Sequence, residues 1–346
     1  MDIQYFLGAN SAGGFFSHYD QLMPTNGKLT RILKGGPGCG KSTLMKKVAA
    51  RAEQLGLQPE RILCSSDPDS LDGVRIPEVG YAVVDGTAPH VVEPNLCACG
   101  QVYLDLGAGY CLETLSPCRS ALEGIQKAGQ SCYPKATACL KAAAALSPLS
   151  SGSGALTTAL FQSLCRKELP DRGARGTRRI VFLSGHSPKG RITCWDTIRA
   201  LCSRIYVLCD SEDAIGAFLQ RLIHAAVKRG WDCLVGDSPL RPGTPEHLLI
   251  PGLGLAFVSS TPLSPYPRHD GILLGEEVAE RPVDMLRKEL LEEAISHLHR
   301  AKEYHDLLEE AYAPHVDFSV ADRVALDCCA ELEILASTFH AETPTP

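Results

Sequence analysis

The hydrophobic pattern changes period along the chain, and each change marks an element. Leu44, Val48, Ala52 and Leu55 recur at helical spacing, which predicts an amphipathic helix that buries one face and stops near Gly56. A short apolar strand, Ile32–Leu33, leads into it, and a second apolar run, Tyr81 to Val84, ends on Asp85. Near the C-terminus, Leu291, Ala294, Leu298, Ala301, His305, Leu308 and Tyr312 share one helical stripe. Phe318, Ala321, Ala325, Cys328, Leu332 and Leu335 share another, with Pro314 between the two. The pattern predicts an antiparallel helical hairpin with a heptad seam, packed on its own domain. A contact with an unknown protein partner, or self-association through the hairpins, is the alternative use of that seam. A poorer version runs from Leu115 to Cys132 and from Ala136 to Leu146, with its break at Pro134.

The patterns occur twice. "IPEVGYAVVDGT" (76–87) and "IPGLGLAFVSST" (250–261) are identical at six of twelve positions, at an offset of 174 residues. The same offset carries Gly56 onto Gly230, and a nearby one carries "YFLGANSAGG" onto "VFLSGHSPKG". The chain therefore reads as a duplication. It divides into a first domain at 1–154, a helix and flexible linker at 155–178, and a second domain at 179–346. "SPLSSGSG" and "LPDRGARGTRR" form the joint. Arginines Arg172 to Arg179 within it could close over phosphates, or simply be solvated.

Chemistry enters with "LKGGPGCGKSTLMKK". It contains G-x-x-x-x-G-K-[ST] as Gly35, Gly40, Lys41 and Ser42, between a strand and a helix. Glycines let successive N–H groups turn inward onto phosphate oxygens, and the helix adds its positive end. Gly35, Gly36, Pro37, Gly38, Cys39, Gly40, Lys41, Ser42 and Thr43 are thus the expected nucleotide cradle. Lys41 would reach the phosphates and Ser42 would ligate Mg²⁺. Asp85, at the end of its apolar strand, is the expected second metal group. Gly86 follows it, where many ATPases place a glutamate.

The loop "CSSDPDSLDG" holds Asp67, Asp69 and Asp72, which could hold a second metal, accept a proton from a substrate hydroxyl or contact ribose, with turn formation the alternative; Asp67 is the preferred catalytic candidate. His90 reads as a surface histidine or, less readily, a γ-phosphate sensor. Cys39, at a positive helix end, reads as a small filler or an oxidisable thiol. At offset 174 the glycine loop falls on "CDSEDAIGA": Lys41 maps to Ile215, Ser42 to Gly216 and Asp85 to Ser259. The second copy has lost its site, and Asp210, Glu212 and Asp213 add negative charge there. Arg241 is a candidate for an arginine lent across to the first site.

Bulk properties narrow the class. A net charge of −6 gives no basic field for nucleic acid, and no apolar run is long enough to suggest a membrane span. The N-terminal residues lack the pattern of a signal peptide. Fifteen cysteines without a paired CxxC argue for reduced thiols in the cytoplasm rather than zinc or a disulfide framework.

Taken together, "LKGGPGCGKSTLMKK", "CSSDPDSLDG", "IPEVGYAVVDGTAPH" and the repeat resemble a family of bacterial tandem P-loop ATPases of unassigned role. The resemblance covers nearly the whole chain. It implies an α/β fold of tandem P-loop NTPase-like repeats, three-layer α/β/α with mainly parallel sheets, each carrying a helical hairpin. It also implies ATP with Mg²⁺ as ligands, near Ser42 and Asp85. The loss of the second glycine loop departs from the family pattern. Mg-dependent ATP hydrolysis is the expected activity. A small-molecule or nucleotide kinase, and an ATP-binding regulator with little turnover, are the alternatives.

Overall fold

The computed structural model describes residues 2–22, 29–94, 99–146, 154–267, 270–276 and 278–342. Cys97 and residues 147–153 of the expected joint lie outside the described residues. The first half runs β1 (Ile3–Phe6), the hairpin β2 (Gly8–Ser11) and β3 (Gly14–Ser17), β4 (Leu29–Lys34), α1 (Lys41–Gln54), β5 (Glu60–Leu63), β6 (Leu71–Ile76), β7 (Tyr81–Asp85) and β8 (Gln101–Asp105). Helices α2 (Leu112–Leu115), α3 (Arg119–Gln130), α4 (Cys132–Ala145) and α5 (Thr158–Glu168) follow. The second half runs β9 (Arg178–Val181), the hairpin β10 (Ser184–Ser187) and β11 (Gly190–Thr193), α6 (Trp195–Leu201), β12 (Arg204–Cys209), α7 (Glu212–Lys228), β13 (Cys233–Asp237), β14 (Pro245–Ile250), β15 (Leu255–Ser260) and β16 (Ile272–Gly275). It ends in α8 (Pro282–Tyr312) and α9 (Ser319–Glu342).

Two six-stranded, mostly parallel sheets result. Their orders are β1-β5-β6-β7-β4-β8 and, read in the same sense, β9-β13-β14-β15-β12-β16. The strand directions also match pair for pair. Both sheets carry an irregularity in the same antiparallel pairing, after Ile62 and after Gly236, again 174 residues apart. Both use a 3₁₀ turn, Pro77–Val79 and Pro251–Leu253, closed by a left-handed glycine at Gly80 and Gly254. The duplication read from one short identity thus extends through topology and register.

The halves complete one another. On sheet 1, Leu33, Val83 and Phe6 face a core shared with α1 and α9, while Ile32, Val84 and Tyr5 face the opposite way. Those inward residues share one core with Val181, Leu183, Val207, Leu249 and Val258 of sheet 2. The other face of sheet 2 is covered by α5 and α7. The expected three-layer repeats therefore do not form as separate units. Each sheet carries long helices on its outer face and buries the inner one against its twin. The contact is close to two-fold. Phe6 and Phe182 exchange backbone hydrogen bonds of 2.8 and 2.9 Å. The Gln4 N–H donates to Thr197 Oγ1 at 2.8 Å, and the Ile180 N–H donates to Gln21 Oε1 at 3.4 Å. Each pair is the other with the halves exchanged, as in an isologous dimer fused into one chain.

The C-terminal helices differ from expectation. The stripe of α8, including Leu291, Ala294, Leu298, Ala301 and Leu308, is buried, but α8 packs along α3 and α4 rather than along α9. The stripe of α9 closes the core of α1 and sheet 1, where Leu332 is fully buried. The two helices thus pack mainly on the first half instead of forming a hairpin on their own domain, α8 against α3 and α4 and α9 against α1. In the first half, the predicted break at Pro134 is absent. Pro134 sits in the first turn of α4, where its missing N–H costs no helical bond. Ser131 keeps helical dihedrals (φ −67°, ψ −17°), so α3 and α4 form one rod with a slight bend, not a hairpin.

Glu60 lies at the seam between the halves. Its carboxylate accepts from Arg179 in two places (2.6 and 3.1 Å), from Arg75 at 2.9 Å and from Tyr5 at 2.8 Å. Burial pushes the Glu60 carboxyl pKa upward, but the charge and hydrogen bonds of Arg179, with Arg75, outweigh it and leave the pKa lowered. A lowered native pKa stabilises the fold above the unfolded-state value of about 4.3, and that contribution is lost as pH falls through the native value. Glu60→Gln should therefore cost about 3–5 kcal/mol at neutral pH by leaving a buried guanidinium unpaired. It should also flatten the acid limb of stability against pH, measured by urea denaturation. In the same assay Leu332→Ala should cost about 2–5 kcal/mol. Leu326→Ala, at a position 70 % exposed on the same helix, should stay within about 0.5 kcal/mol.

Candidate functional site

Strands β4 and β7 are parallel neighbours with Leu33 opposite Asp85, so the glycine loop leaves the sheet beside that carboxylate. Gly38 (φ 69°) and Gly40 (φ 88°) take left-handed conformations that wrap the loop onto the start of α1. The first turn of α1 has no side-chain cap and no acidic residue, which leaves its N–H groups available to an anion. Lys41 Nζ folds into the loop. It donates to the carbonyls of Gly35 and Gly36, both at 2.8 Å, and lies 3.7 Å from Asp85 Oδ2. Ser42 Oγ accepts from the Leu71 N–H at 3.0 Å, tying α1 to β6. Thr43 is exposed. The Pro37 carbonyl accepts from Tyr110 Oη at 2.8 Å. Cys39 is 2 % exposed and packs in the core, which favours the filler reading over an accessible thiol.

A buried polar nest adjoins the loop. Asp72, Asp85 and His90 each offer a ligand atom, and these atoms lie within 4.8 Å of one another. All three residues are buried. His90 Nε2 is 3.4 Å from Asp72 Oδ2, and its ring stacks on Tyr19. Burial pushes the His90 pKa down, but the hydrogen bond and charge of Asp72, with the charge of Asp85, outweigh it and leave the pKa raised. Thr87 donates to Asp85 Oδ1 through both N–H (2.8 Å) and hydroxyl (2.6 Å), which fixes that carboxylate. The surface-histidine reading of His90 is thus corrected by its depth.

Asp67 is placed differently. It accepts from the Ser70 hydroxyl at 2.9 Å and from the Asp69 N–H at 3.3 Å, and it lies 3.6 Å from Lys302 Nζ. Those are turn contacts plus an ion pair to α8, and Asp67 is not one of the three clustered ligands. Asp72 was present in the same acidic loop but not preferred. The signal that singles it out is internal: offset 174 carries Asp67 onto Arg241 and Asp69 onto Gly243, but Asp72 onto another acid, Glu246.

Helix α8 covers one side of the loop. The Glu309 backbone lies within van der Waals reach of the Cβ position of Gly38, and Phe318 and Ala321 stand over Gly40. The His305 hydrogen bond, foremost, and the Gly38 N–H hold the Glu309 carboxyl below its ordinary pKa against partial burial. A residue from the far end of the chain therefore lies against the loop at Gly38. No sequence pattern announced it.

The equivalent place in the second half is a small cavity of about 40 Å³ lined by Ser238, Arg241, Glu246 and Ser259, among others. Ser211 caps α7 by accepting from the Ala214 N–H at 3.3 Å. Glu212 and Asp213 occupy the first turn of α7, where their charge suits the helix dipole. Arg241 pairs with Glu212 and Asp213, and Arg287 pairs with Glu212. Arg241 is thus engaged within its own half rather than lent to the first. Of the linker arginines, Arg172 lies over Trp231 and Arg179 binds Glu60, so both are structural.

Comparison of the chain with protein-family models, curated proteins and solved structures finds no match.

The Ser42 contact has a consequence measurable without any ligand. Ser42→Ala should leave the Leu71 N–H unpaired and cost about 1–3 kcal/mol in denaturant unfolding, while Ser42→Thr retains most of the stability.

Proposed function

We propose that the first half binds ATP at residues Gly35 to Thr43 and that the chain is a P-loop NTPase of tandem design with one working site. The observation that carries this reading is the position of Lys41. Its ammonium stands at the mouth of a left-handed glycine loop, between two loop carbonyls and the carboxylate that ends the neighbouring parallel strand. That is an ammonium placed where a phosphate would meet it. Phosphate oxygens would compete for it with neutral carbonyls and a single carboxylate. The N–H groups of the loop and of the first turn of α1 would take the remaining oxygens. The matching strand orders support reading the second half as a repeat whose cradle has been replaced by Asp210, Glu212 and Asp213.

The donor set suits the Mg²⁺ that accompanies ATP. Asp85 Oδ1 is taken by Thr87, whereas Oδ2 has the Lys41 ammonium as its nearest ion-pair partner. A hard oxygen donor of this kind, with the hydroxyl of Ser42 beside Lys41 in the chain, fits Mg²⁺. That ion would neutralise phosphate charge during transfer. Lys41 would stabilise the β- and γ-phosphates, and Asp85 would orient the ion's water shell. Gly86 supplies no carboxylate to orient an attacking water, which favours slow hydrolysis. The seating of Glu309 at Gly38 points the same way, toward an ATP-dependent regulator whose turnover is gated by α8. Transfer to a small-molecule acceptor is the other outcome that phosphate accounting would reveal.

Titration with a fluorescent ATP analogue should give one site per chain. Lys41→Ala should weaken it by more than about 100-fold, equivalent to about 2.7 kcal/mol. Two sites per chain, or an affinity indifferent to Lys41, contradicts the reading. Phosphate release from Mg-ATP, with and without a metabolite mixture, then separates hydrolysis, transfer and binding without turnover.

A further inference from the structure

We infer that Asp72, Asp85 and His90 form a protein-held site for a divalent transition-metal ion of the Mn²⁺–Zn²⁺ class, loaded independently of nucleotide. The inference goes beyond the ATP reading, since it requires no phosphate ligand, although the two share Asp85.

Three observations carry it. The first is the donor set. Two carboxylates and one imidazole, all at least nine-tenths buried, present ligand atoms within 4.8 Å of one another. Carboxylates alone would suit Mg²⁺ or Ca²⁺, but an imidazole among them shifts preference toward first-row transition metals.

The second is incomplete satisfaction. The Tyr19 hydroxyl, on a residue 6 % exposed, lies near Asp72 yet makes no hydrogen bond of good geometry, and His90 Nδ1 also has no partner. Unpaired buried polar atoms occur elsewhere among the described residues, at His186 and His247 for example, but these two belong to the nest or lie beside it, where an ion or ordered solvent would meet them.

The third is the chain's own control. In the second half the acid equivalent to Asp72 is Glu246, and it is neutralised internally: Arg191 pairs with it and the Ser184 hydroxyl donates to it at 2.7 Å. Burial pushes the Glu246 carboxyl up, but Arg191 outweighs it. The residue equivalent to Arg191 in the first half is Phe15, at the offset of 176 that relates Phe6 to Phe182. At the positions of Asp72 and Asp85 the first half therefore has two buried acids where the second has Glu246 and Ser259, and no arginine stands at Phe15 to meet them. Its built-in cation is Lys41, which sits on Asp85 rather than Asp72. His90, equivalent to Ser264, supplies a further ligand atom that the second half lacks. The half with the arginine needs no ion, and the half without it retains the ligands for one.

The test uses the full chain, stripped with chelator and titrated with Co²⁺ as a spectroscopic probe. Wild type should bind one equivalent, with visible d–d bands of oxygen and nitrogen ligation, and its unfolding temperature should rise. His90→Ala should weaken binding by more than about 100-fold, beyond the 10–100-fold typical of losing an outer-shell partner. His90→Gln, which keeps a polar group in the nest, guards against a variant that simply fails to fold. It should show the same loss of metal with its apo unfolding temperature retained. Lys41→Ala should keep or tighten Co²⁺ binding, since it removes a competing ammonium from Asp85, even as it abolishes ATP binding. A failure of the ATP reading would thus leave the metal result standing, and the reverse. Absence of stoichiometric Co²⁺ binding by wild type overturns the inference. So does a spectrum undiminished in both His90 variants, or one dominated by thiolate-to-cobalt charge transfer, which would put the ion on cysteines.

Discussion

The constraint that organises this molecule is that neither sheet has enough helix to cover both of its faces. Each buries its inner face only against the other, around Ile32, Val84, Val207 and Val258. The edge strands β1 and β9 meet through the paired amides of Phe6 and Phe182. Hydrophobic burial makes separation of the halves costly, and the Glu60–Arg179–Arg75 cluster makes their relative placement specific, because misalignment would strand buried charge. Once the halves are fixed in this way, the long C-terminal helices have little uncovered apolar surface left to them on their own side.

That placement explains the asymmetry of the two loops. In the first half the glycine turns keep amides and an ammonium facing the same space as Asp85. In the second, a serine-capped helix start borders the small cavity at the equivalent place, and its acids are held by Arg241 and Arg287. Such a start is locally more stable than an open glycine loop, since caps and dipole-matched acids satisfy the amides that the glycine loop leaves unmet. The residues that differ between the two loops are thus also the ones that set their local stability.

Much of this was legible in sequence where local rules govern. The G-x-x-x-x-G-K-S spacing and the helix behind it predicted β4, the loop and α1, and the repeat predicted a second sheet of matching order. The apolar stripes of α8 and α9 also marked most of the buried positions, although His305 and Phe318 of those stripes are exposed. What the stripes could not reveal was the surface they would bury against, because a seam at helical spacing fits a hairpin partner and a foreign sheet equally well. The break assigned to Pro134 failed for a related reason: proline ends a helix only when it falls inside one, and here the chain restarts just before it. Sequence could not choose Asp72 over Asp67 within one acidic loop, nor separate a buried His90 from a surface one, because depth is a tertiary property. Glu309 reaches Gly38 across about 270 residues of chain, which no local pattern encodes.

One consequence lies in the length of α8. The helix has 31 residues, about 46 Å of rise. Near its start Arg287 grips Glu212, the counterpart of Gly38 at the offset of 174, and near its end Glu309 touches Gly38 itself. A single stiff lever therefore has one tip on each of two related places, the glycine loop of the first half and the serine-capped helix start of the second. Because a continuous helix is stiff along its axis, a displacement of Glu309 at one tip would be carried to the Arg287–Glu212 pair at the other.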